Sequence, residues 1–435
     1  MFRWSFGTCL MSMILEVKSM GRYQIQGGQK LSGELTCIGA KNAMLPILVA
    51  TVLNGGISVV HNCPRLRDTE VTVNILKSLG CGVVEQERTI IVDSSGINNI
   101  CVPNELVNKM RSSIIFMGGL LGRFKEVAIG TPGGCELGLR PLDLHFKAME
   151  KLGAKKIITD GQVKYVAAEL VGANINLDFP SVGATQNIML AAVYAKGTTK
   201  IANAAKEPEI VDLQDFLNAQ GAKIAGAGTS TITITGVDSL NNCEYTVMPD
   251  RIVAGTYLGA AAITQGDIRI KGINHEYMFP ITSKFAQMGM DIKTCHGEIV
   301  AKSSSTLKSI HVIRTDPHPG FPTDMQSQLT SVLAIVNGSS IIEETIFEER
   351  NKHIPELIKM GADIKVNKNI FTINGVRKLT GATVYAKELR GGAALILAGL
   401  AAQGETIVYG SEYIERGYEN ITSDLCSLGA DIVFC

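Results

Sequence analysis

LIKMGADI (357–364) decides the fold, because the chain carries versions of it six times. The others are LKSLGCGV (76–83), MEKLGAKK (149–156), LNAQGAKI (217–224), FAQMGMDI (285–292) and LCSLGADI (425–432). Their glycines, at 80, 153, 221, 289, 361 and 429, are 73, 68, 68, 72 and 68 residues apart. Each copy reads as a helix that ends on a glycine in the left-handed conformation and runs into a strand. Near-equal spacing over the whole chain marks a structural repeat of roughly 70 residues.

A second element recurs once per repeat: an apolar helix, a polar turn and a strand. Copies begin near Ala43, Ser112, Ala184, Ile252, Gln326 and Ala393, as in NIMLAAVYAKGTTKIAN (187–203), VAGTYLGAAAITQGDIRIKG (253–272) and ALILAGLAAQGETIVYG (394–410). A helix apolar nearly all round must be enclosed on every side. The strands after it alternate, so their sheets can turn one face to water. The expected fold is therefore α/β: a two-domain inside-out α/β barrel, three repeats per domain, helices inside and sheets outside. The halves join near Met248 and Pro249.

Composition agrees with a large core and excludes several classes. Of 435 residues, 46% are hydrophobic and 19% charged. Lys plus Arg equals Asp plus Glu at 41 each, which gives no support to nucleic-acid or membrane-surface partners, so any anion site is local. The ten cysteines form no CxxC pair or metal-type spacing and read as reduced thiols of a cytoplasmic protein. GxxxxGK[ST], GxSxG and HExxH are all missing. Residues 1–19 only loosely resemble a signal peptide: Glu16 and Lys18 follow the apolar stretch and no small-residue cleavage site appears. They read as a disordered extension before a natural start at Met20.

Chemistry-bearing residues gather at two repeat-equivalent places. One is the start of the apolar helix: Lys41-Asn42, Arg111, Ser181, Arg251, Asp324 and Arg390. Helix starts offer free N–H groups and the positive end of the dipole. The other is the loop after the next strand: Asp68, Cys135 to Arg140, Glu207, Arg350 and Arg416. Taken singly, each Arg reads as a surface ion pair. As a repeated set they read as a basic cleft for a substrate with several negative charges. The Gly-rich TPGGCELGLRP places Cys135 five residues before Arg140, where a thiol can act as acid or nucleophile.

GAKNAMLPIL (39–48), MRSSIIFMGGLLGR (110–123), TPGGCELGLRPLDLH (131–145), SVGATQNIML (181–190), KEPEIVD (206–212), FPTDMQSQ (321–328), FEER (347–350) and ELRGGAALILAG (388–399) together resemble the UDP-N-acetylglucosamine 1-carboxyvinyltransferase family. The resemblance runs from about Met20 to the C-terminus. It implies the first committed step of peptidoglycan synthesis: enolpyruvyl transfer from phosphoenolpyruvate to the 3′-hydroxyl of UDP-N-acetylglucosamine, with no metal or organic cofactor. It implies one domain over 41–247 and another from 20–40 with 248–435.

By position, the resemblance gives Lys41 and Asn42 to phosphoenolpyruvate. Arg140, Arg350, Arg390 and Arg416 complete that pocket. Cys135 becomes the acid and the site of a covalent adduct, and Asp324 the acceptor of the sugar hydroxyl proton. Arg111, Arg140, Pro141, Leu142, Asp143, Leu144, Ser181, Val182, Gly183 and Ile346 fall to the sugar nucleotide. Phe179 stands where some members carry a basic residue. The proposed groups are split between the halves, and bare repulsion between their cations would hold the cleft open until a sugar diphosphate enters. The competing readings are the sister transferase acting on shikimate 3-phosphate, a catalytically silent paralogue and an RNA-end cyclase. The Cys135 loop, the intact set of charged residues and the neutral charge speak against them in turn.

This reading makes Cys135 the thiol that the epoxide fosfomycin alkylates. Cys135→Ser is expected to abolish or severely reduce turnover. Mass spectrometry after fosfomycin treatment checks the site; labelling at another cysteine with activity intact would overturn it.

Overall fold

The computed structural model describes residues 21–130, 132–133, 137–138, 142–159, 162–303 and 306–435, so the extension expected at 1–19 lies outside the described residues. All six repeat glycines end a helix in the left-handed region, with φ of 101, 99, 103, 100, 95 and 93° in chain order. A β-carbon there costs about 1–2 kcal/mol, which is why the same residue type recurs.

The recurring helices form the interior. They are α1 (Lys41–Ala50), α2 (Phe116–Phe124), α3 (Val182–Ala192), α4 (Arg251–Ile263), α5 (Gln326–Leu333) and α6 (Leu389–Ala401). All but α5, which buries Gln326, Ser327, Gln328, Thr330 and Ser331, are apolar as expected. Short 3-10 turns, Arg111–Ile115 and Thr323–Met325, lead into α2 and α5. Every residue of α4 is buried, and every residue of α1 except Asn42. None of the described helices is long and apolar enough to cross a membrane.

Among the described residues six sheets surround them, five of four strands and one of three. The strands that follow the inner helices alternate as expected: in Thr198–Ala202, Thr199 and Ile201 face inward and their neighbours outward. Closure is not sequential. Strand Ser32–Thr36 pairs with Asp267–Lys271, and Arg22–Gln26 lies between Glu405–Tyr409 and Asp431–Phe434. Strand Cys243–Thr246 returns to pair with Ile57–His61.

Two hydrophobic cores result. The first half's core runs from Ala40 to Met248; the second half's joins Tyr23–Cys37 to Ile252–Ile432. Where the chain crosses between them, the two passing segments are hydrogen-bonded. Ala40 N–H donates to Met248 O at 2.7 Å and Asp250 N–H to Ile38 O at 2.8 Å, around a bridge between Gly39 and Pro249. A side chain on Gly39 would fall 1.8 Å from Asn62 O, so the crossing requires glycine.

Glycine also lets α2 and α3 approach closely. Gly118 N–H donates to Asn187 Oδ1 at 2.6 Å, and Asn187 Nδ2 donates to Ile114 O at 3.1 Å and His145 Nδ1 at 2.8 Å. Gly118→Ala would set its β-carbon 2.4 Å from Asn187 O. Overpacking of this kind costs about 1–3 kcal/mol or more. Gly289→Ala meets nothing within 4 Å and bears only left-handed strain, about 1–2 kcal/mol. Denaturant unfolding is expected to rank Gly118→Ala as the more destabilising; the reverse order would contradict the close helix contact.

Candidate active site

The starts of all six inner helices open on one cleft of about 890 Å³ between the halves. Its lining includes Lys41 and Asn42 from α1, Arg111 from the turn before α2, and Ser181 to Gly183 at the start of α3. Arg251 of α4, Asp324 of the turn before α5 and Arg390 of α6 complete the set. The burial of each helix thus leaves mainly its first turns facing the cleft, including Leu45 and Pro46 of α1 and Gln186 of α3 beside the polar residues at the starts.

At one end Asp68, in the first turn of helix Arg67–Leu79, receives two cations. Its Oδ2 lies 2.8 Å from Lys41 Nζ, and its Oδ1 accepts from Arg416 Nε at 2.9 Å. Burial works against the Asp68 anion, but Lys41 and Arg416 outweigh it and hold its carboxyl below the usual range. Burial pulls Lys41 down, opposed by Asp68 and reinforced by Arg416 and Arg390.

Asp324 sits in a cage of donors. Arg350 Nη1 donates to Oδ1 at 2.8 Å; Arg390 Nη2 and Asn42 Nδ2 donate to Oδ2 at 3.2 and 3.3 Å. Burial alone would raise its pKa, yet the Arg390 and Arg350 charges hold it far below the carboxylate range. Arg350 Nη1 also donates to Thr323 Oγ1 at 3.0 Å, and Thr323 is held by Glu344, which accepts from its hydroxyl and from the N–H groups of Ile346 and Phe347 at 2.9 and 3.1 Å. The guanidinium also packs over the Phe347 ring, 4.7 Å from its centre.

The opposite wall is anion-friendly in another way. Ser181 caps α3, its Oγ accepting from Ala184 N–H at 3.3 Å. Asp143, Leu144, His145 and Phe179 stand beside it, with Phe179 exposed. Across the cleft, buried Arg251 forms a two-pronged pair with Glu209 of the first half, Nε to Oε1 at 2.9 Å and Nη2 to Oε2 at 3.2 Å. Glu207 accepts from His318 N–H at 3.3 Å, and burial pushes its carboxyl up. Burial, aided by Arg251, lowers His318 to about 4, so its ring is neutral near pH 7.

Of the residues singled out from sequence, Lys41, Asn42, Arg111, Asp143, Leu144, Ser181, Val182, Gly183, Asp324, Ile346, Arg350, Arg390 and Arg416 all line this cleft. Cys135, Arg140 and Pro141 lie outside the described residues. Leu142 is not on the lining; it packs against the first core and precedes helix Asp143–Lys151. The bare repulsion expected between the halves is corrected. Asp68 faces Arg416, Glu209 faces Arg251, and Asp324 lies with Arg350, Arg390 and Asn42, so carboxylates join the halves. Sequence reasoning passed over Glu209 and His145, although both sit inside its own motifs, KEPEIVD and PLDLH. Chemically, the cleft gathers Lys41, Arg111, Arg251, Arg350, Arg390 and Arg416 beside the carboxylates of Asp68, Glu209 and Asp324, an arrangement suited to a multiply charged anion.

The family model of EPSP synthase (3-phosphoshikimate 1-carboxyvinyltransferase) matches residues 25–425. UDP-N-acetylglucosamine 1-carboxyvinyltransferase 2 of Caldanaerobacter subterraneus subsp. tengcongensis is 51% identical over 414 residues, 95% of this chain and 99% of the relative. UDP-N-acetylglucosamine 1-carboxyvinyltransferase of Trichlorobacter lovleyi is 46% identical over the same length, with the same coverage. Among solved structures, the enolpyruvyl transferase NikO from Streptomyces tendae matches with a TM-score of 0.86 at 25% identity, over 95% of this chain and 99% of its own. EPSP synthase from Acinetobacter baumannii shares the fold, with a TM-score of 0.74 at 20% identity, over 95% of this chain and 100% of its own. With near-complete coverage at half identity, and with six helix starts meeting in one charged cleft, the chain belongs to the UDP-N-acetylglucosamine 1-carboxyvinyltransferases, within the EPSP synthase family of enolpyruvyl transferases.

Proposed function

We propose that the chain transfers the enolpyruvyl group of phosphoenolpyruvate to the 3′-hydroxyl of UDP-N-acetylglucosamine and releases phosphate. It thereby opens peptidoglycan synthesis in the cytoplasm. The observation that carries this reading is a single cleft joining the caged Asp324 carboxylate to the Lys41–Asp68–Arg416 cluster. The two cores support domains at 41–247 and at 20–40 with 248–435.

The sugar oxygen adds to the middle carbon of the enol, and its proton leaves toward Asp324. The terminal carbon takes a proton from the Cys135 thiol, a role resting on the TPGGCELGLRP motif. The resulting phospho-ketal loses phosphate to Lys41, Arg416 and Arg140, and the methyl group returns a proton to form the enol ether. Each cation aimed at developing charge contributes about 3 kcal/mol.

Asp324 begins as a weak base, because its cage stabilises the anion. The carboxylate of phosphoenolpyruvate draws on the same guanidinium groups, Arg350 and Arg390. As they turn to it, Asp324 loses stabilisation and gains basicity where the hydroxyl arrives. Arg111 and the N–H groups at Ser181 to Gly183 suit the diphosphate, with Asp143, Leu144 and Ile346 beside the nucleotide sugar.

Phosphate release from phosphoenolpyruvate is expected with UDP-N-acetylglucosamine and not with shikimate 3-phosphate; the opposite preference would reverse the assignment. Asp324→Asn keeps shape and removes charge. It is expected to bind the sugar nucleotide within about tenfold of wild type and to lose about 10²-fold or more in turnover. Calorimetry and steady-state kinetics check the two halves of that statement, and unchanged turnover removes Asp324 from the mechanism.

A further inference from the structure

We propose that Asp68 is a positioning residue for the phosphate end of the cleft: it keeps the buried Lys41 ammonium charged and fixes the Arg416 fork across the gap between the halves. This rests on the enolpyruvyl-transfer reading, in which Lys41 and Arg416 meet the phosphate.

The geometry is two-sided. Lys41 comes from α1 of the first half and Arg416 from the second half's loop after helix Ser411–Ile414. Asp68 Oδ2 lies 2.8 Å from Lys41 Nζ and 3.3 Å from Arg416 Nη2, while Oδ1 takes Arg416 Nε at 2.9 Å. The Asp68 side chain is 4% exposed, and its place in the first turn of its helix favours the anion. With both oxygens on cations, it acts on substrate through them.

The adjacent residues set the register. Arg67 donates to Glu415 Oε2 at 2.8 Å through Nε, so two consecutive residues of each half pair with two of the other, with opposite sign. The Arg67–Glu415 rung is partly exposed and contributes about 0–1 kcal/mol. The buried Asp68 rung therefore holds the Arg416 fork at two nitrogens, Nε and Nη2.

Charge balance decides the state of Lys41. Among the described residues, the charged groups facing it are Asp68, Arg416 and Arg390, and its backbone N–H donates to Asp250 Oδ2 at 3.2 Å. Burial and the two guanidinium groups all work against the ammonium; Asp68 alone among these works for it. Removing that one charge leaves Lys41 buried between like charges, where lysine deprotonates near neutral pH.

The test is the KM for phosphoenolpyruvate of Asp68→Asn relative to wild type, measured at several pH values. The ratio cancels the titration of the substrate and of Cys135. It is expected to rise about tenfold per pH unit once Lys41 titrates, while the KM for UDP-N-acetylglucosamine stays within about twofold and shows no slope. Asp68→Glu keeps the charge and is expected to remove the slope. If Asp68→Asn does not fold, Asp68→Ser, which admits a water, is expected to show the same rise. A flat ratio in a folded charge-removing variant, or a slope in Asp68→Glu, overturns the proposal and leaves Asp68 a structural residue. Absence of phosphate release by the wild type with the sugar nucleotide would instead overturn the function on which the proposal rests.

Discussion

Six inner helices, five of them apolar nearly all round and α5 with its buried Gln, Ser and Thr residues, must be enclosed, and that requirement organises the molecule. Burying α1 to α6 leaves only their ends available to solvent, and the sheets take the outside because their strands alternate. The positive ends of six helix dipoles then converge on the gap between the two cores, with Ser181, Asp250 and Glu388 capping α3, α4 and α6. The fold thus brings six positive dipole ends together before any particular side chain is considered, and the charged residues at those starts add to a field that the backbone already supplies.

Concentrating cations in such a place would be costly without acids, and the structure distributes acids where the halves meet. Arg251 and Glu209 form a buried two-pronged pair, Asp68 bridges Lys41 and Arg416, and Asp324 lies under Arg350 and Arg390. Breaking one partner of a buried pair costs about 3–5 kcal/mol, far more than a surface pair contributes. These links therefore hold the halves together and hold the cations in register. On the proposed function they also make the cleft responsive: an arriving carboxylate or phosphate would compete with a resident carboxylate for the same guanidinium, and binding of one charge would alter the basicity of another.

The covalent path adds a second constraint. The chain crosses between the cores twice, at Gly39 and Pro249, and the passing segments hydrogen-bond to each other. Lys41 and Arg251 follow directly on these crossings, and Asp250 caps α4 while accepting from Lys41 N–H. The place where the halves are tied is thus the place where two of the cleft's charged residues begin.

Much of this was legible in the sequence, for a physical reason. A repeat of about 70 residues, glycines where only a positive φ fits and helices apolar on every side are one-dimensional signals, and each of the six left-handed glycines falls where the pattern requires. The residues at the helix starts followed from the same register, so most of the lining of the cleft was readable by position. What the sequence did not decide was the sign of the interaction between them. Read in one dimension, the cations of the two halves repel. Asp68 and Arg416 are 348 positions apart and Asn42 and Asp324 are 282, and only the closed fold brings them within hydrogen-bonding distance. Whether charges oppose or hold one another depends on separations of a few ångströms in a desolvated cleft, and those separations belong to the tertiary structure alone.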